Sequence, residues 1–266
     1  MTRLDILVAN FANMSREAAK ELIIGGNVRV GGMVCTKAGA KFPEDIVLMV
    51  DKPSEIFVSR GGFKLQKALQ TFDIKLDGKV CLDIGASTGG FTDCMLRNGA
   101  KHVIAIENGY GQLAQILQQD ERVISIENTD IRNFRLNAPA DFAACDLSFI
   151  SISKVAASIA ALLKLDAQAV FLIKPQFEAG PGHVGKQGVV KNPKIHVSAI
   201  NKAIQGLSES GLASIGLDFS PISGANGNIE YLAFVHANSC HCGRNPQSHD
   251  IEKLVRAAFS ALKEKP

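Results

Sequence analysis

Four charged residues stand where the surrounding sequence is apolar: Lys64, Asp146, Lys174 and Glu230. Asp146 closes the run Phe142–Cys145 and Lys174 closes Ala169–Ile173, while Glu230 opens Tyr231–His236 and Lys64 sits between Phe63 and Leu65. Charges in near-buried places need partners, and two ammonium groups with two carboxylates can satisfy one another. Such a set suits alkyl transfer to a sugar hydroxyl. A ribose 2′-hydroxyl is a poor nucleophile until its proton is removed, and a free lysine, with a pKa of ~10.4, is mostly protonated. Desolvation and a second ammonium lower that value. Lys174 is therefore the expected base, its pKa depressed partly by Lys64. Asp146 would orient the lysines, and Glu230 would hold Lys64 or the ribose. Any one of these residues also reads as an ordinary charge at the end of an element; the conjunction of four argues for chemistry.

The electrophile is suggested by Val80–Thr92, V-C-L-D-I-G-A-S-T-G-G-F-T. A short apolar strand, a glycine turn and the start of a helix follow one another there, the pattern of a nucleotide site at the end of a parallel strand. No Gly-Lys-Ser/Thr follows, which argues against a bound triphosphate. Ser87 occupies the second glycine position of the dinucleotide pattern, so that pattern fails too. Asp83, two residues before Gly85, favours a ligand with positive charge. S-adenosylmethionine carries an ammonium and a sulfonium and no phosphate. Glu107 ends the next apolar strand, 22 residues after Gly85, where a carboxylate accepts from both ribose hydroxyls. Asn128 and Asp130 follow a further strand, placed to meet an adenine. The expected cofactor set is thus Asp83, Gly85, Ala86, Ser87, Gly89, Gly90, Phe91, Glu107, Asn128, Asp130 and Asp146; a different nucleotide on the same turn is the alternative.

The elements that must carry these residues are strands alternating with helices. Helices are expected at 90–98, around 112–119, at 152–163 and at 193–206, with Pro193 in the first turn of the last. Strands are expected at 102–106, 123–126, 142–145, 169–174, 213–219 and 231–236. The last two are joined by a turn, Asn226-Gly227, rather than by a helix. This is an α/β arrangement: a mostly parallel sheet covered on both faces with an antiparallel edge hairpin, which resembles the sheet of a class I methyltransferase of Rossmann-like type.

The 266 residues are 46% hydrophobic with a net charge of +3, enough for a core in one large or two modest domains. That charge permits a nucleic-acid partner without demanding one. No apolar run approaches the ~18 residues of a membrane span, and Met1–Asp5 lacks the apolar core of a signal peptide. The six scattered cysteines read as reduced thiols, so a cytoplasmic protein is expected. Cys240-His241-Cys242 invites a zinc reading, but no second cluster completes it, so no metal is expected.

Residues 1–52 form a smaller α+β unit, separated by a linker at 53–60 from a second domain over 61–266. Helices are expected at 3–11 and 16–24, the second capped by Ser15 and stopped by Gly25-Gly26. A hairpin through Gly31-Gly32 and a strand at 46–50 follow. Arg16 and Lys20 share a helix face, with Arg29, Lys37 and Lys41 beyond them. This surface suits an RNA backbone. It reads equally as a solvated face, because the segment holds seven Lys/Arg against six Asp/Glu.

Two family resemblances sharpen these readings. Arg3-Leu4-Asp5, Ser15-Arg16 with Ala18, Ile24 through Val28, Val30 and Gly32, and Lys37 together resemble the RNA-binding domain first described in small-subunit ribosomal protein S-four, which implies binding to structured RNA. The Lys64-Asp146-Lys174-Glu230 tetrad resembles that of the FtsJ-like RNA 2′-O-methyltransferases. The wider set of Val58–Leu65, Asp83–Thr92, Asp146–Ser151, Lys174–Glu178 and Gly188–Val190 is similar to the TlyA (haemolysin A) family across nearly the whole chain. That resemblance implies 2′-O-methylation of a cytidine in ribosomal RNA, and the short N-terminus resembles members acting on the large subunit only. Expected RNA contacts are Arg3, Arg16, Lys20, Arg29, Lys37, Lys41, Arg60 and Lys186. The glycine-rich 180–188 reads as a substrate-side loop or as a plain connector. Expected partners are ribosomal RNA or a ribosomal subunit, with no DNA and no membrane, the chain acting as a monomer or weak dimer. Two competing readings remain: a catalytically idle RNA-binding or ribosome-assembly protein, and a membrane-active haemolysin, which the sequence itself does not support.

Overall fold

The computed structural model describes residues 1–12, 14, 16–24, 26–50, 57–185, 187–237 and 250–263. Ser15, Gly25, residues 53–56 of the expected linker, Lys186 and Cys240-His241-Cys242 lie outside them. The chain divides into two units, Met1–Ile56 and Phe57–Pro266.

In the first unit, β1 (Thr2–Arg3) leads into α1 (Leu4–Ala12), followed by α2 (Arg16–Ile24), β2 (Val28–Val30), β3 (Met33–Val34), β4 (Lys41–Phe42) and β5 (Leu48–Val50). The strands order β3-β2-β5, while β1 pairs separately with β4. Leu4, Val8, Ala19, Leu22, Ile23, Val28 and Val30 make its core. Asp5 is fully buried, with Arg3 at 2.9 Å and Arg16 at 3.0 Å.

In the second unit, α3 (Gly61–Thr71) precedes β6 (Val80–Ile84), α4 (Gly90–Arg97), β7 (His102–Ile106), α5 (Gln115–Gln118), β8 (Val123–Ile126), β9 (Ala140–Cys145) and α6 (Ala156–Ala160). Then come β10 (Leu163–Ile173), α7 (Pro175–Glu178), α8 (Pro193–Glu209), β11 (Leu212–Phe219), β12 (Tyr231–Ala237) and α9 (Ile251–Lys263). The seven strands order β11-β12-β10-β9-β6-β7-β8. Pairs among β8, β7, β6, β9 and β10 are parallel. β12 runs antiparallel to both β10 and β11. The expected hairpin is therefore at the sheet edge, with β12 wedged inside β11. Leu65, Leu69, Phe91, Met95 and Leu117 cover one face; Ile159, Ile200, Leu207, Val255 and Ala258 cover the other. Each such large side chain contributes ~1.5–3 kcal/mol by leaving water.

Three expectations need correction. The helix expected at 152–163 is a single 3-10 turn, Ile152–Lys154, followed by the short α6. Leu163 instead starts β10, because it pairs with Ala140. The ladder then breaks and resumes at Gln168 opposite Phe142, and Asp166 takes φ 59° within that irregularity. Tertiary pairing here overrides a helical period. The helix expected around 112–119 shrinks to α5. Residues 57–60 belong to the second unit rather than to a linker: Phe57 is buried with its ring 5.2 Å from Phe63, and Val58 N donates to Asp93 Oδ2 at 2.9 Å.

Candidate active site

Parallel strands bring their carboxyl ends to one edge of the sheet, and the reversed β12 brings its amino end to the same edge. In register, Ile84 lies opposite Cys145, Cys145 opposite Phe171, and Ile173 opposite Tyr231. The residues just outside these pairs are Gly85, Asp146, Lys174 and Glu230. Lys64 reaches them from the first turn of α3. That helix is fixed by Lys67, whose Nζ donates to Phe219 O at 2.6 Å and pairs with Asp218 at 3.0 Å.

The four charges meet. Lys64 Nζ stands 2.7 Å from Glu230 Oε2 and 3.3 Å from Asp146 Oδ2. Lys174 Nζ stands 2.6 Å from Asp146 Oδ1 and donates to Ser148 Oγ at 2.9 Å. Glu230 and the two lysine side chains are 10% exposed or less. Asp146 thus takes one ammonium on each oxygen, so opposite charges alternate across the site. Burial draws the Lys64 ammonium down, but Asp146 and Glu230 outweigh it and hold Lys64 above the ordinary lysine value. Burial likewise pushes Asp146 up, and the two lysines outweigh it and hold the carboxyl below its ordinary value. Gly224 makes room for Glu230: a Cβ there would lie 2.0 Å from Glu230 Oε1.

Beside the tetrad lie two confluent clefts that share Gly85, Ser87, Asp146 and Ser148. The smaller, about 260 Å³, is lined by Ser59, Lys64, Asp83, Ala86, Gly90, Phe91 and Lys174 among others. The larger, about 540 Å³, reaches past Glu107, Asp130 and Arg132 to Phe149. S-adenosylmethionine fits these residues. Asp83 is fully buried; its Oδ2 accepts from Thr92 N at 2.8 Å and Thr92 Oγ1 at 2.6 Å. Its Oδ1 has no partner, leaving a carboxylate oxygen for a cationic ligand. Burial pushes Asp83 up to about 7. Glu107 accepts from Ser87 N at 2.9 Å and Gly109 N at 2.8 Å, which orients its carboxylate at the larger cleft with lone pairs to spare.

Not every expected cofactor residue lines these clefts. Gly89 packs instead: at φ 93°, a Cβ there would lie 2.3 Å from Leu117. Asn128, at φ 52°, donates its backbone N–H to Gly109 O at 3.0 Å and braces the rim. Asp130 lines the larger cleft but is paired with Arg132. Gly85 allows close strand packing, since a Cβ would lie 2.6 Å from Asp146 O.

Ser148, Glu178 and Phe149 were not singled out by sequence reasoning. Buried Glu178 accepts from Ser151 Oγ at 2.6 Å and Ile152 N at 2.8 Å, tying the segment after Asp146 to the segment after Lys174. Phe149 is 91% exposed at φ 64°, its ring 5.1 Å from Phe177. Only the two motif stretches that carry the family resemblance, Asp146–Ser151 and Lys174–Glu178, signal them in the sequence.

Among the expected RNA contacts, Arg3 lies opposite Lys41 in the β1–β4 register. Arg3 and Arg16 share Asp5 while keeping 41% and 45% of their side chains exposed. Their hydrogen bonds, Arg3's first, hold Asp5 well below the usual carboxylate range. Lys20 lies one turn beyond Arg16, Lys37 is exposed, and Arg29 is half-buried on β2. Arg60, exposed, precedes α3 in the second unit. Among the described residues no group of three or more His, Cys, Asp or Glu could hold a metal ion, and no helix is long and apolar enough to cross a membrane.

A sheet in this order, with a cation-seeking cleft at its carboxyl edge and a Lys-Asp-Lys-Glu array across it, defines a class I methyltransferase. Residues 57–236 match the FtsJ-like methyltransferase family. The chain is 40% identical over 250 residues to the 16S/23S rRNA (cytidine-2′-O)-methyltransferase TlyA of Mycobacterium tuberculosis, covering 92% of each. It is 42% identical over 224 residues to Hemolysin A of Brachyspira hyodysenteriae, covering 82% of this chain and 92% of that one. A solved Streptococcus thermophilus structure, whose name carries the word hemolysin, superposes with a TM-score of 0.77 at 37% identity over 98% of this chain and 97% of that one. The chain belongs to the TlyA branch of the FtsJ-like methyltransferases.

Proposed function

We propose that the chain methylates the ribose 2′-hydroxyl of a cytidine in ribosomal RNA. The observation that carries this reading is the Asp146 carboxylate holding Lys64 on one oxygen and Lys174 on the other, beside the unpartnered Asp83 oxygen. When bound, S-adenosylmethionine supplies a methyl carbon made electrophilic by the sulfonium. Asp83 Oδ1 and Glu107 would accept from its ammonium and its ribose, and Gly85 and Ala86 would line its site. Lys64 faces two carboxylates and stays an ammonium, placed to stabilise developing oxyanion charge. Lys174 faces one carboxylate and a hydroxyl; once its ammonium has given a proton to solvent, the free amine takes the 2′-hydroxyl proton on Nζ. Ser148 and Asp146 aim Lys174, and in-line placement of the hydroxyl supplies the remainder.

An exposed aromatic at the cleft mouth, Phe149, offers a stacking face to a nucleobase. In the first unit, Arg3, Arg16 and Lys41, with Lys20 a turn away, support phosphate contact. The test is to map 2′-O-methyl groups in the RNA of both ribosomal subunits, from cells with and without the protein. A cytidine site should vanish with the protein and return with wild type but not with Lys174→Ala. An unchanged methylation map would leave a catalytically idle RNA-binding protein.

A further inference from the structure

The catalytic reading leaves a buried polar network around residues 187–190 unused. Asn228 is 2% exposed. Its Oδ1 accepts from Val190 N at 3.2 Å, and its Nδ2 donates to Gly188 O at 2.9 Å and Ala225 O at 3.0 Å. His196, fully buried on α8, stands with Nε2 2.8 Å from Val190 O and Nδ1 2.9 Å from Tyr231 Oη. A carbonyl oxygen only accepts, so Nε2 carries the proton and Nδ1 accepts from the tyrosine. Both backbone polar groups of Val190 are therefore satisfied by side chains, one from Asn228 and one from a histidine held by Tyr231. Asn228 and Tyr231 flank Glu230 in sequence.

The span between them has little slack. Gly224 N donates to Asn228 O at 2.8 Å, Asn228 N to Ala225 O at 3.2 Å, and Ser220 N to Glu230 O at 2.8 Å. Moving Asn228 therefore moves Glu230, which supplies the shorter of the two ion pairs on Lys64, 2.7 Å against 3.3 Å. On the other side, Gly188 takes φ 74° and its amide closes a turn to Gly185 O at 2.8 Å, so Asn228 and His196 grip the downstream arm of the glycine-rich loop.

We propose that Asn228 and His196 are positioning residues that couple the seating of segment 187–190 to the placement of Glu230, so that the loop on the RNA side and the partner of Lys64 are set together. This rests on the methyl-transfer reading above. None of the coupled residues lines the clefts assigned to the methyl donor, which separates their effect from donor binding.

The test compares wild type with Asn228→Ala, Asn228→Asp, His196→Leu and the Asn228→Ala/His196→Leu double variant. Methyl transfer to ribosomal RNA, S-adenosylmethionine affinity by calorimetry, and hydrogen exchange of the Gly188 and Val190 amides are measured. Loss of one buried hydrogen-bonded pair predicts a kcat lowered on the order of tenfold or more. Donor affinity should stay within about twofold. Asn228→Asp keeps an acceptor for Val190 N and should lose less than Asn228→Ala. The double variant should lose little more than the worse single variant, because either change releases Val190. Faster exchange at Val190 should accompany the lost turnover. The inference is overturned if folded Asn228→Asp and His196→Leu turn over as wild type, if donor affinity falls in parallel with turnover, or if the two losses multiply. A wild type that methylates no RNA would instead refute the reading beneath it, while the exchange measurement would still test the loop clamp.

Discussion

Replacing Lys174 separates charge from proton acceptance. Lys174→Met removes one of the two ammonium groups on Asp146, leaving only Lys64 at 3.3 Å. Asp146 is 19% exposed and keeps one cation, so the loss approximates one charged hydrogen bond, about 2–3 kcal/mol. For a domain of this size that is a fall in Tm of about 4–12 °C. Lys174→Arg restores a cation that stays protonated at any working pH and should recover most of that stability. It cannot take a proton from the ribose, so single-turnover methyl transfer should fall by ~10²–10⁴, as for loss of a general base. The assay is transfer of labelled methyl to ribosomal RNA at saturating donor, read beside calorimetric donor affinity. Lys174→Arg retaining more than about a tenth of the wild-type rate would refute proton transfer to Lys174 and leave the tetrad as an electrostatic frame.

Three further outcomes follow from the geometry. Because burial pushes Asp83 up to about 7, donor affinity should rise between pH 6 and 8, by up to ~tenfold per pH unit below 7; Asp83→Asn should bind weakly with a flat calorimetric profile. The folded pKa is raised above the ordinary carboxyl value of ~3.9, so the unliganded protein loses stability as pH climbs from about 4 to 7 and no further above that, and Asp83→Asn should melt higher than wild type at pH 8. Gly224→Ala sets a Cβ 2.0 Å from Glu230 Oε1; displacing that carboxylate by about 1 Å should cost ~10²-fold in turnover with little change in donor affinity. Asp5 is held below its ordinary value by Arg3 and Arg16, so its stabilisation is present above about pH 4 and lost on further acidification. Asp5→Asn should speed hydrogen exchange in α1 and α2 at pH 7, and the difference from wild type should shrink in acid.

The tetrad was legible because each member breaks an apolar context at an element end, and strand ends share an edge in an open α/β sheet. Asp83 and Glu107 were legible for the same reason. Gly89 was misleading: its motif position suggested ligand contact, yet the space it opens is filled by Leu117, which only the packed structure reveals. The helix expected at 152–163 failed because the Leu163–Ala140 pairing is a long-range contact with no local signature. The two-residue strands β1 and β4 are too short for a period to show. α9 has a local signal in Val255 and Ala258, buried at helical spacing where the helix packs on α8 and β11. Arg3 and Arg16 belong to the expected RNA contacts, and nothing local marks Asp5 as buried between them.

The reversed strand also dictates when the enzyme can exist. β12 slots between β10 and β11 although it is made after both, and it delivers Glu230 at its leading end. A ribosome that has extruded the chain only as far as β11 has released every other member of the tetrad, with Lys64 still missing its nearer counter-charge and β10 bare along one side. An unpaired strand of that kind invites association with other chains. Synthesis, sheet closure and the onset of activity are thereby gathered into the arrival of one late hairpin.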